Sequence, residues 1–99
     1  MQLTLTEAFA RAFAHERAGR NAEARLIYSD ILAAIPDHPG ALLKLAEHDI
    51  DAGSLDAARA RLDQALAAAA VQRLPVEDIW FGYARLDLRA GDRRGARDA

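Results

Sequence analysis

The stretch ALLKLAEHDIDAGSLDAA, residues 41–58, decides the fold because its small residues recur elsewhere at nearly fixed spacing. It contains Ala46, the pair Ala52-Gly53 and Ala58. The same features stand 34 residues earlier, as Ala12, Ala18-Gly19 and Ala24, and 38 residues later, as Ala84, Ala90-Gly91 and Ala96. Self-similarity at this period is typical of stacked helix-turn-helix units. The sequence therefore predicts a helical repeat array rather than a single closed globule.

Apolar periodicity and chain breakers outside this stretch predict five full helices, a truncated sixth and no strand. The first helix runs from the capping box Thr4–Glu7 to Gly19, and the second covers about 21–35. The third covers about 39–52 and the fourth begins after Ser54 or Asp56 and reaches about residue 70. The fifth covers about 77–90, and Asp92 would cap the truncated sixth.

Composition excludes several classes of protein. The net charge of −2 gives no electrostatic footprint for nucleic acid, and the absence of cysteine excludes a disulfide framework. The N-terminal residues lack the pattern of a secretory signal. The longest apolar run, residues 65–71, is far short of the roughly 18–20 residues of a membrane span. A soluble, cytoplasmic protein without membrane contact is the expectation.

The spacing and identity of these residues resemble the tetratricopeptide repeat family. The first unit, about 5–38, has the matching residues Ala12, Gly19, Ala24, Tyr28, Leu32 and Pro36. The second, about 39–72, has Leu42, Leu45, Ala46, Gly53, Ala58, Leu62, Ala65 and Leu66. The third, about 77–99, has Trp80, Tyr83, Ala84, Gly91 and Ala96. The resemblance implies one all-α domain over 1–99: a right-handed superhelical stack of about 2.5 repeats, with an insertion at 73–76.

Several packing expectations follow from this resemblance and from helix geometry. Alanine in the three columns lets antiparallel helices approach closely, and a bulkier side chain would overpack the crossing. Gly19, Gly53 and Gly91 would supply a helix stop with positive φ. Trp80 and Tyr28 are expected to be packing residues.

No constellation of residues indicates catalysis, a metal site or a cofactor. The three histidines, His15, His38 and His48, have no metal-ligand spacing to one another. The polar residues of the segment 47–51 are interpreted as a solvated helix surface. We therefore expect a non-enzymatic protein.

The resemblance implies a partner-binding groove, because the first helix of each unit lines the concave face in this family. Carried over position by position, the groove consists of Phe9, Phe13, Glu16, Arg17, Leu43, Lys44, Glu47, Ile50, Asp51, Phe81, Arg85, Leu88 and Arg89. An apolar stripe rimmed by charge suits a peptide or helix of a partner protein. The alternative is that a second copy, or the rest of a longer protein, covers it.

The C-terminal edge suggests two further hypotheses. If the sixth helix is too short to cover the fifth, then Ile79, Tyr83 and Leu86 should be partly exposed, and the chain should form homo-oligomers through this edge or the groove. Similar arrays also precede bacterial enzyme domains, where they position substrates. Finally, the arginines Arg85, Arg89, Arg93, Arg94 and Arg97 either anchor an acidic segment or form a solvated face paired with Asp87 and Asp92.

Overall fold

The computed structural model describes residues 4–98, with side chains for residues 4–91, and this part of the chain contains five α-helices and no strand. The helices are α1 (Leu5–Arg17), α2 (Asn21–Ala34), α3 (Pro39–Ala52), α4 (Leu55–Gln72) and α5 (Glu77–Asp98). Each helix packs against the next in the chain, and α3 also packs against α5. The array is elongated, with extents of 53 × 33 × 19 Å. The all-α repeat architecture is confirmed.

The helix boundaries have local causes that the sequence contains. Thr4 Oγ1 accepts the Glu7 N–H at 3.1 Å and thereby caps α1. His38 Nδ1 caps α3 in the same way by accepting the Ala41 N–H at 3.1 Å, although the sequence had not indicated this cap. Gly19 and Gly53 have φ of 80° and 82°, so both predicted glycine stops are confirmed.

The third predicted stop, at Gly91, is wrong. Its φ is not positive, and α5 continues through it to Asp98, so residues 92–98 extend α5 instead of starting a sixth helix. Glycine permits a left-handed stop but does not impose one, and inside a helix it costs only about 1 kcal/mol relative to alanine. The side chains of Arg93, Arg94, Ala96 and Arg97 lie outside the described residues.

The core consists of two clusters that follow the predicted small-residue columns. Ala12 and Ala24 lie in the cluster between α1, α2 and α3, whereas Ala46 and Ala58 lie in the cluster between α3, α4 and α5. All four alanines are fully buried, which confirms their predicted role at helix crossings. Tyr28 is also fully buried, as expected of a packing residue.

The third column departs from this pattern because α5 uses another face. Ala84 is exposed, and the close approach is made by Gly82 instead. A Cβ atom at residue 82 would lie 2.7 Å from Leu62 Cδ2 and 3.3 Å from Leu43 Cδ1. An alanine at this point would therefore require the side chain of Leu62 to shift.

The predicted partial exposure of the C-terminal edge is found for Tyr83 and is wrong for Ile79 and Leu86. Ile79 and Leu86 are buried, and Tyr83 is half-buried. Trp80 has a relative exposure of 56%, so its predicted packing role is also wrong. The reason is that α5 packs on α3 and α4 of the preceding unit, and no described helix covers its other side.

The insertion at 73–76 follows a lengthened α4. This helix reaches Gln72, and Arg73 adopts the left-handed conformation with φ of 57° at its end. The Leu74 N–H then donates to the Ala69 carbonyl at 2.9 Å. Arg73 thus ends α4, and residues 74–76 connect α4 to α5.

Candidate functional site

The predicted groove lies along α1, α3 and α5, and side chains of α3 contact both α1 and α5. The Lys44 ammonium of α3 lies 4.9 Å from the centre of the Phe13 ring of α1. On the other side of α3, Arg85 Nη2 of α5 donates to Asp51 Oδ1 at 2.9 Å. These contacts place side chains of all three helices on a connected surface.

The α1 end of the groove is aromatic. The rings of Phe9 and Phe13 are 6.5 Å apart, and Phe9 also lies 5.8 Å from Tyr28 and 5.2 Å from His38. These contacts leave Phe9 half-buried, whereas 46% of Phe13 remains exposed. Phe13 therefore offers most of the aromatic surface available at this end.

Lys44 occupies the middle of the groove between two carboxylates. Its ammonium is 3.2 Å from Glu47 Oε2 and 3.7 Å from Glu16 Oε1, in addition to its contact with the Phe13 ring. The ammonium group gains a cation–π interaction with the ring and ion pairs with the carboxylates, and both are favourable. Lys44 is consequently engaged within the chain and not free to act as a lone positive charge.

The α5 end of the groove is open and partly basic. Phe81 and Leu88 have relative exposures of 70% and 71%, and Arg85 and Arg89 are exposed beside them. Leu43 of α3 is half-buried and packs against the core. Two apolar ends thus flank a charged middle.

Ile50 requires a correction, because it was predicted to line the groove. Its relative exposure is 3%, and it belongs to the core cluster between α3, α4 and α5. Arg17, which was also predicted to line the groove, is exposed and is the last residue of α1. The other residues of the predicted set are exposed or half-buried.

A polar cluster beneath the groove was missed by the sequence interpretation. Tyr28 donates its hydroxyl to Glu16 Oε1 at 2.7 Å, and His48 Nε2 lies 2.9 Å from Glu16 Oε2. Burial and the hydrogen bond to Glu16 raise the pKa of Tyr28 far above its ordinary value. One carboxylate of α1 therefore connects α2 and α3.

Asp49 forms a second buried polar contact, on the opposite side of α3. Its Oδ2 atom lies 2.8 Å from Arg61 Nε, and its Oδ1 atom lies 3.6 Å from Arg25 Nη2. The Arg61 N–H is not well aligned with the oxygen, so the contact is an ion pair rather than a straight hydrogen bond. Asp49 thereby connects α2 and α4 through α3.

The prediction of a solvated surface at 47–51 is thus wrong for His48 and Asp49, which are both buried. Buried positions were predicted from recurring alanines and from apolar periodicity, and neither His48 nor Asp49 belongs to those patterns. The position of Asp49 could have indicated its burial, because it follows the buried Ala46 by three residues and lies on the same side of the helix.

Two charged residues of α5 form ion pairs, each with a different helix. Arg85 pairs with Asp51 of α3, and Asp87 pairs with Arg59 of α4 at 3.7 Å between their side-chain atoms. Within residues 4–91, no group of three or more His, Cys, Asp or Glu side chains is placed to hold a metal ion. Among the described helices, none combines the length and apolar character that crossing a membrane requires.

Comparison with known families gives a match. A family model described as tetratricopeptide repeat matches residues 16–74, which is 59 of the 99 residues and includes α2, α3 and α4. No curated protein and no solved structure matches the chain.

Proposed function

Because the chain belongs to the tetratricopeptide repeat family, whose repeats generally mediate protein–protein interaction, we propose that its groove binds an extended apolar segment of a partner protein. The family is typically a non-enzymatic interaction module. The groove in this proposal consists of Phe9, Phe13, Glu16, Arg17, Leu43, Lys44, Glu47, Asp51, Phe81, Arg85, Leu88 and Arg89.

The observation that carries the proposal is the exposure of aromatic rings at both ends of the groove. Phe13 of α1 is 46% exposed and Phe81 of α5 is 70% exposed, while Leu43 of α3 lies between those helices. Exposed aromatic residues are over-represented in protein interfaces, where their burial contributes much of the binding free energy. A segment with two apolar side chains would cover both rings.

The charges of the groove favour a segment of low net charge. Lys44 already lies between Glu16 and Glu47, and Arg85 already pairs with Asp51. A strongly acidic or basic partner would have to compete with these contacts, and its desolvation would cost free energy. An apolar segment leaves the existing pairs in place.

The test uses the double variant Phe13→Glu, Phe81→Glu. A displayed library of random peptides is selected on the wild-type chain, and the enriched peptide is synthesised for titration. We expect enrichment of apolar residues, and we expect the double variant to bind the peptide at least about tenfold more weakly, which corresponds to 1.4 kcal/mol.

The matched control is the double variant Leu26→Glu, Val71→Glu, which places the same charges on exposed residues of α2 and α4. It should bind the peptide as tightly as the wild type. Circular dichroism must show that both double variants remain helical. Equal binding by the wild type and the groove variant, or failure to enrich any peptide, would show that the groove is not the binding surface.

A second candidate function is self-assembly, and the exposure of Trp80 on α5 favours it. Trp80 is not part of the groove, so self-assembly through Trp80 would use a surface outside the groove set. A groove for apolar segments would also suit a module that positions substrates for an enzyme domain, which is the third hypothesis from the sequence.

A further inference from the structure

His38 differs from an ordinary helix cap in the chemistry of its side chain. Its Nδ1 atom accepts the Ala41 N–H at 3.1 Å and so caps α3. The residues preferred at this position, Ser, Thr, Asp and Asn, act through a short side chain with an oxygen acceptor. An imidazole has a second ring nitrogen, which the cap leaves unused. The side chain of His38 can therefore make a further polar contact.

The cap determines where the proton of the His38 ring lies. In a neutral imidazole one nitrogen carries the proton and donates, while the other accepts. Because Nδ1 accepts the Ala41 N–H, the neutral ring has its proton on Nε2. Within residues 4–91, this Nε2 atom makes no hydrogen bond and is not fully enclosed. The Nε2–H group of His38 is thus a donor that reaches solvent.

The surrounding residues hold this donor beside the aromatic end of the groove. The ring centres of His38 and Phe9 lie 5.2 Å apart. A Cβ atom at residue 40 would lie 3.0 Å from His38 Cε1 and 3.5 Å from Phe9 Cζ, so Gly40 lets both rings approach the first turn of α3. Together with the cap, these contacts fix the His38 ring before a partner binds, and a preorganised donor loses little conformational entropy on binding.

We propose that His38 Nε2–H donates a hydrogen bond to a main-chain carbonyl of the segment that binds in the groove. This inference rests on the proposed function and adds a binding residue outside the groove set. The segment has apolar side chains in that proposal, so its hydrogen-bond acceptors are the carbonyl oxygens of its main chain. These oxygens lose water on binding, and a buried carbonyl without a donor is unfavourable.

The other donors along the groove suit this carbonyl less well. The Lys44 ammonium already lies between two carboxylates, and Arg85 already pairs with α3. Arg17 and Arg89 are exposed, but their charge favours acceptors that are negatively charged. A neutral imidazole N–H suits the uncharged carbonyl of an apolar segment. One such polar contact in an apolar site fixes the position of the bound segment along the groove.

The first experiment needs no partner. Nitrogen-15 NMR of the imidazole rings in the full chain, at pH 8, where a histidine is ordinarily neutral, shows which ring nitrogen carries the proton. We expect the proton of His38 on Nε2, and the variant His38→Ser identifies the signals of this ring by their loss. A proton on Nδ1 would overturn the proposal, because Nε2 would then be an acceptor.

The second experiment measures binding of the peptide that is selected on the wild-type chain. His38→Ser keeps an oxygen that can cap α3 but has no ring N–H, and His38→Asp takes its place if the serine variant does not fold. We expect at least about threefold weaker binding, the effect of losing one hydrogen bond. His15→Ser is the matched control. The Nδ1 atom of His15 also accepts a hydrogen bond, from Arg20 Nε at 2.9 Å, but His15 lies near the other end of α1 from Phe9 and its loss should not change binding.

Ester substitutions in the peptide separate the donor from the packing of its ring on Phe9. Replacing one amide by an ester weakens its carbonyl as an acceptor. At one peptide bond, the ester should weaken binding to the wild type by about threefold and leave binding to His38→Ser unchanged. If no ester has an effect that depends on residue 38, although the groove variant Phe13→Glu, Phe81→Glu still loses binding, this inference alone is overturned. If the groove variant binds like the wild type, or no peptide is enriched, the proposed function fails and this inference fails with it.

Discussion

His48 Nε2 of α3 lies 2.9 Å from Glu16 Oε2 of α1, and this contact joins the first two repeats through their leading helices. The other oxygen of the same carboxylate accepts the hydroxyl of Tyr28 from α2. Three helices therefore converge on a single carboxylate just beneath the groove. Changes to this cluster should alter stability, and a change at Glu16 also alters the proposed groove.

Glu16→Ala should destabilise the fold by about 2 kcal/mol, because it leaves the buried Tyr28 hydroxyl without its acceptor and removes the partner of His48. The measurement is the free energy of unfolding in urea, followed by circular dichroism. Glu47→Ala is the matched control: among residues 4–91 the ion pair of this carboxylate is with Lys44, so its loss should cost less than about 1 kcal/mol. Equal losses of unfolding free energy in the two variants would show that the buried cluster contributes no more to stability than the Lys44–Glu47 ion pair.

Asp49→Ala should also destabilise the chain, by about 2 kcal/mol. The substitution leaves the guanidinium groups of Arg25 and Arg61 without a shared carboxylate, although both arginines can be partly hydrated, which keeps the loss below that of a fully buried pair. Asp51→Ala, two residues further along α3, removes an exposed pair with Arg85 and should cost less than about 0.5 kcal/mol. Chemical denaturation of both variants distinguishes these values, and a larger effect at Asp51 would contradict the assignment.

Gly82→Ala and Gly91→Ala should change stability in opposite directions, although both glycines lie in α5. At residue 82 the added Cβ would lie 2.7 Å from Leu62 Cδ2, so the fully buried Leu62 side chain would have to shift against its core neighbours. The overpacking should outweigh the gain in helix propensity and cost about 1–2 kcal/mol.

At residue 91 nothing lies within 4 Å of the added Cβ, and the backbone is helical. Gly91→Ala should therefore stabilise the chain by about 0.5–1 kcal/mol. Thermal unfolding of the two variants and the wild type shows whether each substitution raises or lowers the stability. Stabilisation by Gly82→Ala would mean that α5 does not approach α4 as closely as the structure has it.

Stability should fall as the pH rises above 10, because two tyrosines titrate later in the folded chain than in the unfolded chain. Burial, followed by the hydrogen bond to Asp63, raises the pKa of Tyr83 from 10.0 to about 12, and burial raises that of Tyr28 further. Between those values the unfolded state loses protons that the folded state keeps, so the free energy of unfolding decreases with pH.

Urea midpoints measured at a series of alkaline pH values test this expectation. Tyr28→Phe removes one of the two groups and should make the decline with pH shallower, whatever its effect at neutral pH. A wild-type midpoint that does not change between pH 10 and 12 would contradict the raised tyrosine pKa values.

Much of the fold could be predicted because its causes are local or periodic. The bounds of α3, Pro39–Ala52, agree with the prediction, since a proline begins the helix and Gly53 ends it. The buried alanines at 12, 24, 46 and 58 follow from the 34-residue period alone. For the groove, the resemblance placed Phe13 and Phe81 on the leading helices, and the structure leaves both exposed.

The third repeat could not be predicted in the same way. The choice between Ala84 and Gly82 as the small residue at the helix contact depends on which neighbours α5 has, and the column of alanines contains no information about that. The helices against which α5 packs also determine that Trp80 is exposed while Ile79 and Leu86 are buried.

The sequence by itself determined that the chain is a stack of antiparallel helix pairs, because alanine and glycine at a regular spacing permit close helix crossings and tight stops. Only the tertiary structure decided that Ile50, His48 and Asp49 are all interior. The physical reason is that α3 has neighbours on several sides, with side chains of α1, α2 and α4 reaching its polar residues. Polar residues on such a helix can be buried when partners from other helices satisfy them, and those partners are distant in sequence.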